Sequence, residues 1–206
     1  MISQIVNQKI LPILRGLSEE DAFFLIDAFQ EAGLNVFEVS LNQPGSLKLL
    51  ESINTKFGET VSVGAGTVLT REMAIEAKNS GATFFLSPSI SHEVFESASI
   101  LNIPYIPGAL TPSEIQQAHQ LGAKLIKVFP IRQLGATYIK DVLASLNHVD
   151  LLAVGGVDLH NTKELFQAGV KGVGIGSSLA KKEWISNRDK AQIMRTLELY
   201  KNEIQE

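Results

Sequence analysis

The feature that most constrains this chain is a repeated unit. A short, uniformly apolar run is followed by a longer stretch with helical patterning. The runs are Lys9–Arg15, Asn35–Leu41, Thr60–Thr67, Thr83–Pro88, Tyr105–Gly108, Lys124–Phe129, Leu151–Gly155 and Gly172–Gly176. They are rich in Val, Ile, Leu and Phe and lack the polar alternation of a half-exposed sheet. Parallel strands buried on both faces read this way. Ser18, with Asp21 three residues on, opens the first helical stretch, and Gly33 ends it. Gly81, Gly122 and Gly169 recur in the same place, just before the next strand. Thr70–Glu72, Ser91–Glu93 and Thr111–Glu114 read as helix starts, with Pro112 suited to a first turn. Eight such units, with no linker between them, predict an α/β fold, a single (β/α)8 TIM barrel spanning residues 1–206. A helical extension is expected from about residue 181, with Ile193, Met194, Leu197 and Tyr200 as its apolar stripe. A doubly wound open sheet is the competing fold. The first strand lacks a GxGxxG turn, and eight similar units favour closure.

Composition narrows the function classes. With 18 Lys+Arg against 22 Asp+Glu, the net charge of −4 argues against a general nucleic-acid role. It leaves room for a local anion pocket. There is no Cys, hence no thiolate nucleophile and no Cys-based metal site. No apolar run approaches the roughly 20 residues of a membrane helix. The opening MISQIVNQKI has no secretory-signal pattern, and a cytoplasmic location is expected. His92, His119, His148 and His160 are scattered without metal-ligand spacing.

In a barrel, the chemistry sits at the C-terminal ends of the strands, and side chains alternate between the axis and the helices. In the sixth run, Ile126 and Val128 share the apolar outer face, so Lys127 joins Leu125 and Phe129 toward the axis. An interior lysine either pairs with a carboxylate or, held neutral, attacks a carbonyl. The second run supplies Glu38 and Ser40 on the axis face. Glu38 either neutralises Lys127 or moves protons. Arg15, on the face of Ile13, suits a carboxylate or phosphate, or a rim ion pair. Strict alternation puts Thr67 on the axis face with Ala65, while Gly64 and Gly66 permit close approach. Pro88 and Pro107-Gly108 end their runs with rigid backbone at the mouth, which makes Pro88 a candidate substrate contact. Gly155-Gly156 after the seventh run, with Gly174, Gly176 and Ser177 at the end of the eighth, form two loops suited to a phosphate.

These segments resemble the bacterial 2-keto-3-deoxy-6-phosphogluconate (KDPG) and 4-hydroxy-2-oxoglutarate (KHG) aldolases up to about Ser178. The matching pieces are Ile13-Leu14-Arg15-Gly16, Glu38-Val39-Ser40-Leu41-Asn42 and Gly64-Ala65-Gly66-Thr67-Val68-Leu69. Ile106-Pro107-Gly108, Thr111-Pro112-Ser113-Glu114, Lys127-Val128-Phe129-Pro130 and Gly155-Gly156 complete the set. The resemblance implies a class I aldolase, a carbon–carbon lyase. Lys127 would be its Schiff-base lysine and Glu38 its acid/base. Arg15 and Thr67 would receive the pyruvate-like end, and the glycine loops with Ser177 would hold phosphate. It further implies a homotrimer without cofactor or metal. Gluconate-type members usually continue Leu41 with Arg and place Thr before the double glycine. Asn42 and Val154 stand there instead, and with Gly135–Lys140 they look galactonate-like. The implied substrate is 2-dehydro-3-deoxy-6-phosphogalactonate, cleaved to pyruvate and D-glyceraldehyde 3-phosphate. The gluconate epimer and 4-hydroxy-2-oxoglutarate are the alternatives within the family. Outside it stand a sugar-phosphate isomerase or epimerase and a non-catalytic sugar-phosphate binder.

Overall fold

The computed structural model describes residues 1–205. The strands are β1 (Ile10–Leu14), β2 (Val36–Ser40), β3 (Ser62–Gly66), β4 (Phe85–Leu86), β5 (Tyr105–Ile106), β6 (Gly108–Ala109), β7 (Ile126–Val128), β8 (Leu151–Val154) and β9 (Gly172–Ile175). They form one sheet in the order β5-β4-β3-β2-β1-β9-β8-β7-β6. Every pairing is parallel. β5 and β6 are halves of one segment, interrupted at Pro107, which has no N–H for a ladder. β5 pairs with β4 while β6 pairs with β7, so this segment closes the sheet into a barrel. The fifth strand therefore runs through Ala109, one residue past its predicted end.

The helices are α1 (Ile2–Gln8), α2 (Glu19–Glu31), α3 (Ser46–Phe57), α4 (Arg71–Asn79), α5 (His92–Ile100), α6 (Pro112–Gln120), α7 (Gly135–Ser145), α8 (Leu159–Gln167), α9 (Lys182–Ser186) and α10 (Lys190–Gln205). The Ser18 hydroxyl accepts the Asp21 N–H at 3.1 Å, which caps α2. Thr111 and Glu114 form a reciprocal box over the start of α6, with Pro112 in its first turn. Gly33 closes α2 with φ +78°, a left-handed conformation a side chain would strain. After α5, Asn102 takes that place at φ 52°. α10 packs on both α8 and α2. The expected extension is thus the eighth helix of the ring, reached through the short α9, and it buries Ile193, Leu197 and Tyr200. Met194 stays half-buried.

Two apolar layers follow from strand alternation. Ile10, Phe37, Val39, Val63, Ile126, Val128, Leu151 and Val173 pack outward against the helices. Leu11, Val36, Phe84, Leu86, Ile106, Leu125, Leu152 and Val154 fill the barrel interior with Ile5. Ile5 belongs to α1, which the sequence patterning does not predict. Seven residues are too few to show a helical period, and the helix is held by tertiary contacts. Gln8 at its end clamps the chain: its Nε2 donates to Ile10 O and Val36 O, both at 2.7 Å. Its Oε1 accepts the Asn35 and Val36 N–H groups. The plug stands at the strands' N-terminal end, opposite the face where chemistry is expected.

Candidate active site

Lys127 projects into the barrel. Its strand neighbours Ile126 and Val128 lie in the outer layer, and Leu125 and Phe129 line the interior. The side chain is only 6% exposed, and its Nζ sits 4.7 Å from the centre of the Phe129 ring. Glu38 comes inward from the middle of β2, beside Val36, and is 2% exposed. Its Oε2 is buried without a hydrogen-bond partner. Burial pushes the Lys127 ammonium down from the ordinary lysine range. The Glu38 carboxylate opposes that shift and the Arg15 cation adds to it. Burial likewise pushes the Glu38 carboxyl up, against the pull of Lys127 and Arg15. Both groups are therefore biased toward neutrality, one as an amine and the other as an acid.

The room for Glu38 comes from β3. A β-carbon on Gly66 would lie 1.7 Å from Glu38 Oε1, and one on Gly64 would lie 2.3 Å from the Phe84 ring. Those two glycines, then, face the axis. Ala65 between them lies in the outer layer, which corrects its expected pairing with Thr67 on the inner face. Thr67 follows Gly66 with φ 64°, so strict alternation ends there. That turn brings its hydroxyl within 3.2 Å of Ser40 Oγ. Ser40 also accepts from Arg15 Nη2 at 3.3 Å and donates to Asn42 Oδ1 at 3.1 Å. One hydroxyl proton serves one acceptor, so Thr67 is the donor to Ser40 in this arrangement. Arg15 keeps most of its fork for a ligand.

Lys127, Glu38 and Arg15 border one cavity of about 760 Å³. Val154, Gly155, Gly156, Gly174, Gly176 and Ser177 border it as well. Gly155 and Gly156 turn with φ +89° and +93°. Among the described residues, neither the Gly156 nor the Ser177 N–H has an acceptor within the chain. Ser178 Oγ donates to Val157 O at 3.0 Å and ties the two loops together. Gly174 lies inside β9, within its expected run, and the absence of its β-carbon makes room for Val154 and Ile13. Two expectations need correction. Asn42 and Thr67 do not border the cavity and connect to it only through Ser40 and then Arg15, because both lie past their strand ends. Pro88 does not border it either, since β4 ends at Leu86 and the following turn packs behind Gly108.

Residues 1–196 match the aldolase family of KDPG and KHG aldolases. The chain belongs to that family. Its relatives include the 2-dehydro-3-deoxy-6-phosphogalactonate aldolase of Escherichia coli K12, 30% identical over 95% of this chain and 96% of that one. Among solved structures, a native KDPGal structure superposes with a TM-score of 0.86 at 30% identity, covering 96% of each chain. The KDPG aldolase of Legionella pneumophila, with pyruvate captured as a covalent carbinolamine, gives 0.86 at 28% identity over 95% of each chain. Membership in this aldolase family makes the chain a carbon–carbon lyase by descent, and it fits a cavity that pairs an amine with a carboxyl.

Gln43, Phe129 and Arg132 also border the cavity and are not singled out by sequence patterning. For Phe129 the available signal is its shared face with Lys127. Arg132 lies beyond any strand, and only the pairing of its segment with Gly155 brings it in. The histidines lie elsewhere: His119 and His148 meet ring to ring at 4.8 Å on the outer surface. No helix among the described residues is long and apolar enough to cross a membrane.

Proposed function

We propose that this protein is a class I aldolase that cleaves 2-dehydro-3-deoxy-6-phosphogalactonate to pyruvate and D-glyceraldehyde 3-phosphate. The observation that carries the proposal is the burial of Lys127 and Glu38 in one cavity, each biased toward its neutral form. The neutral Lys127 Nζ attacks the C2 ketone, and loss of water leaves an iminium. Glu38 enters as the neutral acid and gives its proton to the departing hydroxyl; the carboxylate so formed then takes the C4 hydroxyl proton. The C3–C4 bond then breaks, its electrons pass into the iminium, and the aldehyde leaves. The resulting enamine is protonated at C3, and water releases pyruvate and regenerates Lys127. Arg15 holds the carboxylate end, with Ser40, Thr67 and Asn42 fixing its orientation. Gly155, Gly156, Gly176 and Ser177 receive the phosphate. The two-ended grip aligns the breaking bond with its electron sink. The carbinolamine captured in the Legionella relative supports an amine nucleophile.

Val154 in the cavity wall carries the choice of the galactonate epimer, with Asn42 acting on it through Ser40 and Arg15, and the E. coli relative bears that epimer in its name. The gluconate epimer is the second reading, favoured by the Legionella relative. Residues 1–206 act as one unit in this proposal, as a cytoplasmic homotrimer. The exposed Leu69, Leu110 and Leu134 supply apolar surface for subunit contact, and sedimentation at micromolar concentration tests the trimer. Borohydride reduction with pyruvate, followed by peptide mass mapping, tests the chemistry. The expected result is a reduced pyruvyl adduct on Lys127. An active enzyme without that adduct refutes the Schiff base. Cleavage of the two C4 epimers compared on one sample tests the substrate, and equal efficiencies refute the galactonate assignment.

A further inference from the structure

Arg132 and Lys182 border the cavity and are not used by the mechanism, and of the two Arg132 lies against the Gly155-Gly156 loop. Past β7 the chain keeps pairing with the end of β8: Ile131 N–H donates to Val154 O at 3.0 Å and Arg132 N–H to Gly155 O at 2.9 Å. This register lays Arg132 over Gly156. A β-carbon at Gly156 would sit 2.6 Å from Arg132 Cβ and 2.7 Å from its Nε, so the close approach requires glycine there. Arg132 is exposed and borders the same cavity as Lys127.

Its charge is unanswered. Among the described residues, Arg71 pairs with Glu96, and Arg188 pairs with Glu20 and Asp21. Among the same residues Arg132 has no ion pair. The carboxylates bordering the cavity are Glu38, which faces Lys127, and Asp21, which Arg188 already holds at 2.6 Å. A guanidinium beside two unpaired backbone N–H groups forms a donor set for a tetrahedral dianion. Arg15 and Arg132 then receive opposite ends of one extended substrate.

We propose that Arg132 is a specificity residue that clasps the phosphate of the substrate over Gly156, so that the enzyme selects phosphorylated over unphosphorylated 2-keto-4-hydroxy acids. This rests on the aldolase function proposed above. The test measures kcat/KM of wild type, Arg132→Gln and Arg132→Lys on the phosphorylated six-carbon substrate and on 4-hydroxy-2-oxoglutarate. The ratio of the two constants should fall about 10- to 100-fold in R132Q, the range expected on losing a hydrogen bond to a charged group, with the change in KM. R132K should recover part of it. Inorganic phosphate should inhibit the wild type competitively and R132Q far less. A ratio within about 2-fold of wild type in R132Q overturns the inference, as does equal loss on both substrates. Borohydride trapping of pyruvate on Lys127 keeps the two failures apart. A wild type that traps no pyruvate overturns the aldolase function and this inference together. Trapping with an unchanged ratio overturns this inference alone.

Discussion

Replacing Gly66 by alanine adds one methyl group in front of the Glu38 carboxyl, and the structure sets how far that carboxyl must retreat. The new carbon would stand 1.7 Å from Oε1, 2.4 Å from Cδ and 2.9 Å from Cγ. Ordinary carbon–oxygen contact lies at about 3.4 Å or more, so Oε1 must move by roughly 1.5–2 Å. The obstruction is the end of a side chain, not backbone, so the fold yields at an overpacking cost of about 1–3 kcal/mol. The chemistry has less latitude. A misplacement of about 1 Å costs on the order of 100-fold, and the expected fall in kcat is at least that large. The three nearest atoms all belong to Glu38, so pyruvate trapping on Lys127 by borohydride should persist. Pyruvate release, read through a lactate dehydrogenase couple, reports kcat. Far-ultraviolet dichroism and a thermal melt report folding. A folded G66A enzyme with kcat within about 3-fold of wild type would falsify the placement of Glu38 as the proton-transfer group.

Gly64→Ala makes the opposite trade: the added carbon meets the fully buried Phe84 ring at 2.3–2.5 Å, so about 1–3 kcal/mol of stability should go while Glu38 keeps its place. A denaturant melt unchanged from wild type counts against the inward face of Gly64. Glu38→Gln removes the one influence that raises the Lys127 pKa, so the pH midpoint for trapping pyruvate should move down, with turnover reduced about 10²- to 10⁴-fold. An upward move in that midpoint contradicts the electrostatic coupling. In Val154→Thr a hydroxyl enters the cavity wall at nearly constant volume, and the gluconate epimer should gain in kcat/KM relative to the galactonate epimer. No change in that ratio removes Val154 as a determinant. Ile5→Ala empties part of the barrel plug and should cost about 2–5 kcal/mol in chemical denaturation. A loss below 1 kcal/mol would mean that α1 contributes little to the interior.

Period-two counting found the two central groups because both lie in the middle of strands, where alternation is rigid. Lys127 between Ile126 and Val128, and Glu38 between Phe37 and Val39, have no freedom to face elsewhere once the outer layer is apolar. The same counting failed at strand ends. Thr67 leaves the pleat at φ 64°, and Asn42 and Pro88 sit in turns that local pattern does not orient.

The order of strands, the cap residues and the inward pair Lys127 and Glu38 were determined by the sequence itself, through periodicity and turn chemistry that act over a few residues. The plug helix α1, the place of α10 in the ring, the Ser40 network and the seating of Arg132 over Gly156 were decided only by tertiary structure. Each depends on segments far apart in the chain meeting at a set distance: Gln8 with Val36, α10 with α2, Arg15 with Ser40, Arg132 with Gly155. Local patterning carries no information about such distances until the barrel closes through the segment at Pro107.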